Sequence, residues 1–254
     1  MRDFVEAHTV QIVLGVLAFA LLLVIVGIIN VVRGSKRRRA TLRDWAFRNG
    51  FDYTEGPLPA HDVAPLDAFE IKAEVTRSDA LNITRGSRVT IFDHQETRRT
   101  SYGPYNNRVR FTTKTRSCAL YKLPEPLPPF EFNALTTASP DTFQGKLMAK
   151  VIDMAKLVRG NKAGEVIEID GRPGFLLRGT EADRIKPLFA GRAQFFDDKC
   201  GWTVESHDSW LLVSCDPTIY EHGWERGSPV SEKNYDEFVR ISDQIHDHFL
   251  HSSS

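Results

Sequence analysis

The chain has 254 residues, 41% of them hydrophobic and 26% charged, with 33 Lys and Arg balanced by 33 Asp and Glu. That composition excludes a charge-rich disordered chain and a uniformly polybasic nucleic-acid binder, and three cysteines make no disulfide scaffold. The zero net charge hides a gradient: residues 33–122 carry 18 Lys/Arg against 10 Asp/Glu, and residues 123–254 carry 14 against 21.

Thr9 to Val32 contains no charged residue. As a helix, these residues would reach about 36 Å, enough to cross a hydrocarbon core of about 30 Å. The stretch predicts one transmembrane helix over 9–32. Arg33, Lys36, Arg37, Arg38, Arg39 and Arg43 follow it, whereas Arg2 before it is offset by Asp3 and Glu6. The positive-inside rule then puts the N-terminus outside and the rest in the cytoplasm, on a plasma (inner) membrane. A cleaved signal peptide would carry its basic residues before the apolar run, which this chain does not do. In a reducing cytoplasm Cys118, Cys200 and Cys215 stay as thiols.

Residues 33–50 read as a short basic amphipathic helix ending at Asn49-Gly50, with Leu42, Trp45, Ala46 and Asn49 on one face. Two placements fit it: Trp45 and Phe47 at a lipid interface with Arg37, Arg38 and Arg39 on head groups, or Leu42 and Trp45 in a protein core. Residues 51–135 read as a β-rich basic subdomain. Phe51–Tyr53 is a short strand. Leu81–Thr84 and Arg88–Asp93 flank a turn at Gly86-Ser87, and Glu96–Asn107 is a polar hairpin loop. Over Arg108–Tyr121, Val109, Phe111, Thr113 and Thr115 alternate with Arg108, Arg110, Thr112, Lys114 and Arg116, as in a strand with one basic face. Four prolines in Lys122–Phe130 predict an extended hinge.

Residues 136–251 read as an acidic α+β subdomain, with 252–254 as a tail. Asp141–Leu157 is helical in pattern, Val166–Ile169 and Phe175–Arg178 form a hairpin, and a short helix runs from Thr180 to about Phe189. Ala193–Phe196 is read as a strand. Trp202–Glu205 and Trp210–Ser214 are read as a second hairpin around His207-Asp208, which would bring Cys200 near Cys215. The last helix starts at Asn234 and turns Tyr235, Phe238, Ser242, Ile245 and Phe249 to one side. The expected fold class is α+β: the transmembrane helix, then a mostly antiparallel sheet domain, in one piece or two subdomains, with a C-terminal packing helix.

No chemistry-bearing motif emerges. His246 and His248 lie two apart on a helix and point to different faces, so they read as surface residues. Ser206-His207-Asp208 are consecutive, whereas a triad needs groups converging from separate segments. There is no Cys-x-x-Cys and no phosphate-loop spacing. No catalytic, metal or cofactor residue is assigned. The constellation with some chemistry is Arg98, Arg99, Arg108, Arg110, Lys114 and Arg116, interleaved with Tyr102 and Tyr105. Such a row is either the solvated face of an antiparallel sheet or a phosphate-binding surface, and beside a bilayer the second would select anionic lipid head groups over nucleic acid.

One resemblance can be stated. Leu42-x-x-Trp45-Ala46-x-x-x-Gly50-Phe51-x-Tyr53 is followed by Ile91-Phe92-Asp93, Leu123-Pro124, Trp202-x-Val204-Glu205 and Trp210-Leu211-Leu212. That order resembles a loose group of uncharacterised bacterial membrane-anchored proteins, in which a juxtamembrane helix with a Gly-Phe-x-Tyr exit precedes a mixed α/β cytoplasmic domain. His94 departs from it, an aromatic residue being more usual there. The resemblance implies a bacterial source and a structural role for Trp45, Phe51 and Trp210, and it carries no activity. The leading expectation is a non-enzymatic membrane-associated interaction or scaffold module with a bilayer and an unidentified membrane protein as partners. The alternatives are a membrane-tethered enzyme acting on lipid or envelope precursors, and a ligand-sensing domain.

Overall fold

The computed structural model describes residues 16, 18–23, 25–26, 33, 36–37, 39–63, 75–102, 108–135, 165–169, 174–215 and 232–250. The chain divides into two units, Met1–Thr41 and Leu42–Ser254. The described residues of the first unit are helical, and all but Thr41 are exposed. The expected transmembrane helix is corrected here: no helix among the described residues is long and apolar enough to cross a membrane. Within 9–32 the described residues are 16, 18–23 and 25–26. The rest of the expected span lies outside the described residues. The single-pass assignment falls with it.

The second unit opens on helical residues 42–48 (α1). Leu42, Trp45 and Ala46 are buried, and Phe47 is exposed. Of the two placements open to this helix, Trp45 takes the core, and its Nε1 donates to Asp236 Oδ1 at 2.7 Å. Gly50 ends the helix at φ 71°, a conformation that costs a Cβ-bearing residue energy.

Eight strands then form one sheet, and every described pairing is antiparallel. They are β1 (Asp52–Thr54), β2 (Leu58–Pro59), β3 (Val75–Arg85), β4 (Val89–Tyr102), β5 (Arg108–Ala134), β6 (Glu165–Ile167), β7 (Phe175–Gly179) and β8 (Trp202–Cys215). The order is β1-β3-β4-β5-β7-β6, with β2 on β3 and β8 on β5. Short helices α2 (Ala60–Val63) and α3 (Ala182–Phe189) and the C-terminal helix α4 (Glu232–Leu250) complete the described elements, together with a 3-10 turn at Ala193–Phe196.

One sheet face carries the main core. Ile91, Ala119, Tyr121, Phe132, Trp202, Val204 and Val213 pack with Phe238, Ile241, Ile245 and Phe249 of α4. The period-3.6 face expected of the last helix is the buried one, with Tyr235, Phe238, Ser242, Ile245 and Phe249 all inside. Trp202 stacks on Phe238 at 5.5 Å, and Phe130 meets Phe249 at 5.5 Å. The alternate residues of the same strands, Ala80, Phe92, Cys118, Leu120 and Leu212, form a smaller cluster on the other face.

Several expected elements differ from those observed. Glu96–Tyr102 is not loop but the outer half of β4, because Thr97, Thr100 and Ser101 lie in unbroken register against β5. The proline run is not a hinge. Strand β5 runs through it, and the prolines fall where the β5–β8 ladder shifts register between Lys122 and Phe130. A strand can lose the proline N–H donor at such an irregularity. Trp202–Cys215 is not a hairpin but one strand, bent at Asp208, whose φ of 51° is tolerated better by Asp than by most residues. Cys200 and Cys215 are therefore separated by the length of β8. The segment Ala193–Phe196 is a 3-10 turn, since Ala193 and Phe196 both drop into the core, a spacing of three that a strand cannot offer to one face. The expected helix 141–157 lies outside the described residues.

Candidate functional site

The basic constellation of the sequence maps onto β4 and β5. Their pairing is continuous from Val89↔Tyr121 to Tyr102↔Arg108, so directly opposed residues share a face. Register places Arg98, Arg108, Arg110, Lys114 and Arg116 together on one face. Arg99, opposite Phe111, is on the other face with Val109 and Thr113. Arg99 thus stands apart from the basic row in which the sequence grouped it. Tyr102 sits at the end of β4, and Tyr105 lies outside the described residues. Arg37 and Arg39 are exposed and helical in the first unit, and Arg38 lies outside the described residues.

The outer part of these two strands is an arm. Val109, Arg110, Phe111 and Thr113 are exposed, Phe111 at 64% and Val109 at 40%, so both faces of β5 meet solvent there. Among the described residues, β5 pairs with β8 only from Cys118 onward and with β7 only from Phe130. Among the described residues, Arg108–Ser117 therefore has a strand partner on its β4 side alone. Among the described residues no strand meets its other edge, where outward backbone groups recur at every second residue.

Where the arm joins the body, charge is tied down. Arg116 Nη1 donates to Glu205 Oε1 at 3.0 Å and to Ser214 Oγ at 3.3 Å, and Nη2 lies 3.7 Å from Glu96. His94 Nδ1 is 3.6 Å from the same Glu96 oxygen, and His94 Nε2 is 2.8 Å from Ser78 Oγ. Burial alone would lower the Arg116 pKa, but Glu205 and its other neighbours hold it above its ordinary value. Burial also pushes the adjacent Cys118 thiol up to about 12, which makes it a poor nucleophile at neutral pH. Arg116 is therefore engaged by the fold, in contrast to the exposed Arg110.

On the opposite face Asp93 accepts from Asn82 Nδ2 at 2.6 Å and from Ser117 Oγ at 3.0 Å, and Tyr53 donates to Asn82 at 3.0 Å. Asn82 takes φ 51° at the β3 irregularity, which aims its amide at Asp93. Asp93 and His94 are thus neighbours in sequence that serve opposite faces and different partners. His207 and Asp208 approach to 3.1 Å at the bend of β8, with the Asp208 side chain mostly exposed. The four groups do not converge on one point.

The two helix histidines correct the expectation of surface residues. His246 is buried, stacks on Tyr121 at 4.5 Å, and meets Arg88 at 2.8 Å. Burial foremost lowers its pKa. The Tyr121 hydroxyl in turn lies 2.8 Å from Ser242 Oγ and 2.9 Å from Asp243 Oδ1, and Arg88 also bonds to Asp247. His248 stacks on Phe195 at 4.3 Å, and Lys199 covers the Phe195 ring at 3.9 Å. Burial, then Arg192 and Lys199, lower the His248 pKa to about 4. His248 and Phe195 help to line an open cleft of about 560 Å3, together with Arg192, Gln244 and Asp247. Sequence reasoning missed this cleft and the ion network around Arg116. The one signal available for the network was the alternation His94-x-Glu96 on a strand destined to pair with Lys114-x-Arg116.

No metal-binding group of three or more His, Cys, Asp or Glu is found among the described residues. No protein-family model matches the chain, and no curated protein matches it. Among solved structures, the chain is similar to the mycobacterial trehalose monomycolate transport factor A, TtfA, with 14% identity and a TM-score of 0.48, over 83% of this chain and 93% of that one.

Proposed function

We propose that this protein is a non-enzymatic, membrane-associated interaction module. One observation carries the reading. Val16, Phe19, Leu21, Leu22, Leu23, Ile25 and Val26 are helical and each is at least 45% exposed, so a run of large apolar side chains faces outward. Exposed apolar surface on this scale marks a lipid or protein contact rather than an ordinary solvated face. Arg33, Lys36, Arg37 and Arg39, all exposed, follow it, and cations beside an apolar contact favour an anionic lipid surface by about 1 kcal/mol each. We place the protein on the cytoplasmic side of an inner membrane, where Cys118, Cys200 and Cys215, which form no disulfide with one another, would stay as thiols. The non-enzymatic part of the reading is supported by Asp93, whose carboxylate accepts from Asn82 and Ser117, and by His94, whose Nε2 meets Ser78 Oγ.

Vesicle flotation of the full chain tests the reading. Flotation is expected with vesicles containing phosphatidylglycerol, reduced with neutral phosphatidylcholine, and reduced on anionic vesicles by the pair Arg37→Glu and Arg39→Glu. Equal behaviour on both vesicle types, unchanged by the pair, would remove the anionic-lipid contact. No flotation at all would remove membrane association.

A further inference from the structure

Strand β5 has an edge that nothing above accounts for. Arg108–Ser117 is about 30 Å of extended backbone, bonded on one side to β4 and, among the described residues, to nothing on the other. Long edges of this kind recruit further strands unless they are blunted by a bulge, a proline or a cover. Here the β4–β5 register runs without a shift, no proline occurs between 108 and 117, and Val109, Arg110, Phe111 and Thr113 stand exposed. We propose that this edge takes up an extended segment of a partner protein by strand addition, and that the segment alternates acidic with apolar residues.

The alternation of the edge dictates the alternation of its occupant. A strand added beside β5 puts every second side chain on the face of positions 108, 110, 112 and 114, three of which are Arg or Lys. Carboxylates belong there. The intervening side chains fall on the face of Val109, Phe111 and Thr113, where branched apolar residues cover the exposed Phe111 ring. A second copy of the same edge is a poor occupant, because it would lay one row of Arg and Lys against another. A bilayer is a poor occupant of the edge itself, because its core offers no partner for backbone N–H and C=O groups.

The inference deepens the interaction-module reading by naming what the module binds. Its test needs no vesicle, so it fails or succeeds independently of flotation. The full chain in mild detergent is titrated into a fluorescein-labelled nine-residue peptide alternating Glu with Val, and anisotropy is read. Saturable binding is expected, weakening as salt rises. Arg110→Glu in the protein is expected to weaken it about tenfold while leaving the denaturation midpoint unchanged, since the side chain is exposed. Methylating alternate peptide nitrogens, in both registers, is expected to abolish binding in the register that faces the edge. Equal binding by both methylated peptides and the parent would overturn strand addition. Failure of the parent to bind, or anionic-vesicle binding that depends on Arg110 without peptide binding, would overturn the proposal in favour of an unoccupied edge or a lipid surface respectively.

Discussion

The inner and outer halves of β4 and β5 are made of the same two strands, in one continuous register, and they live in different solvents. Between Val89 and Asp93 and between Ser117 and Tyr121, both faces are covered, one by α4 and the main core, the other by the cluster of Ala80, Phe92, Cys118, Leu120 and Leu212. Beyond Glu96 and before Thr115 the cover ends, and Phe111 meets water where Tyr121 meets Ser242 and His246. Backbone pairing is therefore common to both halves and cannot be what distinguishes them. Side-chain burial does that, and it predicts that stability resides in the inner half and exposed recognition surface in the outer one.

The sharpest break of that comparison is Phe132→Ala. Phe132 is fully buried and its ring lies 4.5 to 5.4 Å from those of Phe196, Phe189 and Phe175. Removing it leaves a cavity among rings that cannot all close in, at a cost of about 4 kcal/mol. The urea midpoint should drop accordingly, with the slope unchanged. A loss below about 1 kcal/mol would mean that the sheet–helix core is not the seat of stability.

The junction should respond less. Glu205→Gln keeps the shape but removes the charge nearest Arg116, leaving Glu96 at 3.7 Å as its remaining carboxylate in the network. The expected cost is about 2 kcal/mol, the scale of a hydrogen bond to a charged group. Arg116→Gln in the same background should add little more, because the two changes remove one interaction. Full additivity of the two would show that the ion pair is not the link holding the arm to the body.

Much of this division was readable from residues, and the unreadable part has a physical cause. The alternation of Arg108 to Arg116 fixed a strand with a basic face, because side-chain period 2 is a local property. The buried face of α4 was visible for the same reason at period 3.6. The sequence could not say that Arg116 lies beside Glu205, 89 residues later, since that contact follows from the path of β5 and β8. Nor could it separate a bend from a reversal at His207-Asp208, as both suit a residue that accepts positive φ. The histidines of α4 were misjudged because burial depends on Tyr121 and Phe195, which arrive from other elements. Arg99 was grouped with its neighbours along the chain, whereas adjacent residues on a strand face opposite ways.

The smallest effect on stability is expected where strand addition is proposed. Phe111→Ser changes a residue as apolar as Phe132, on the same strand, and should move the urea midpoint by no more than about 0.5 kcal/mol, because its ring is already in water. The same change should weaken uptake of the alternating peptide, since the apolar row of the added strand loses the ring it covers. Paired with Phe132→Ala, which is read at the midpoint, the variant separates the arm from the core by measurement. If Phe111→Ser instead destabilised the chain by 2 kcal/mol or more, the ring would be contributing to a buried surface. The arm would then belong to the core rather than to a partner.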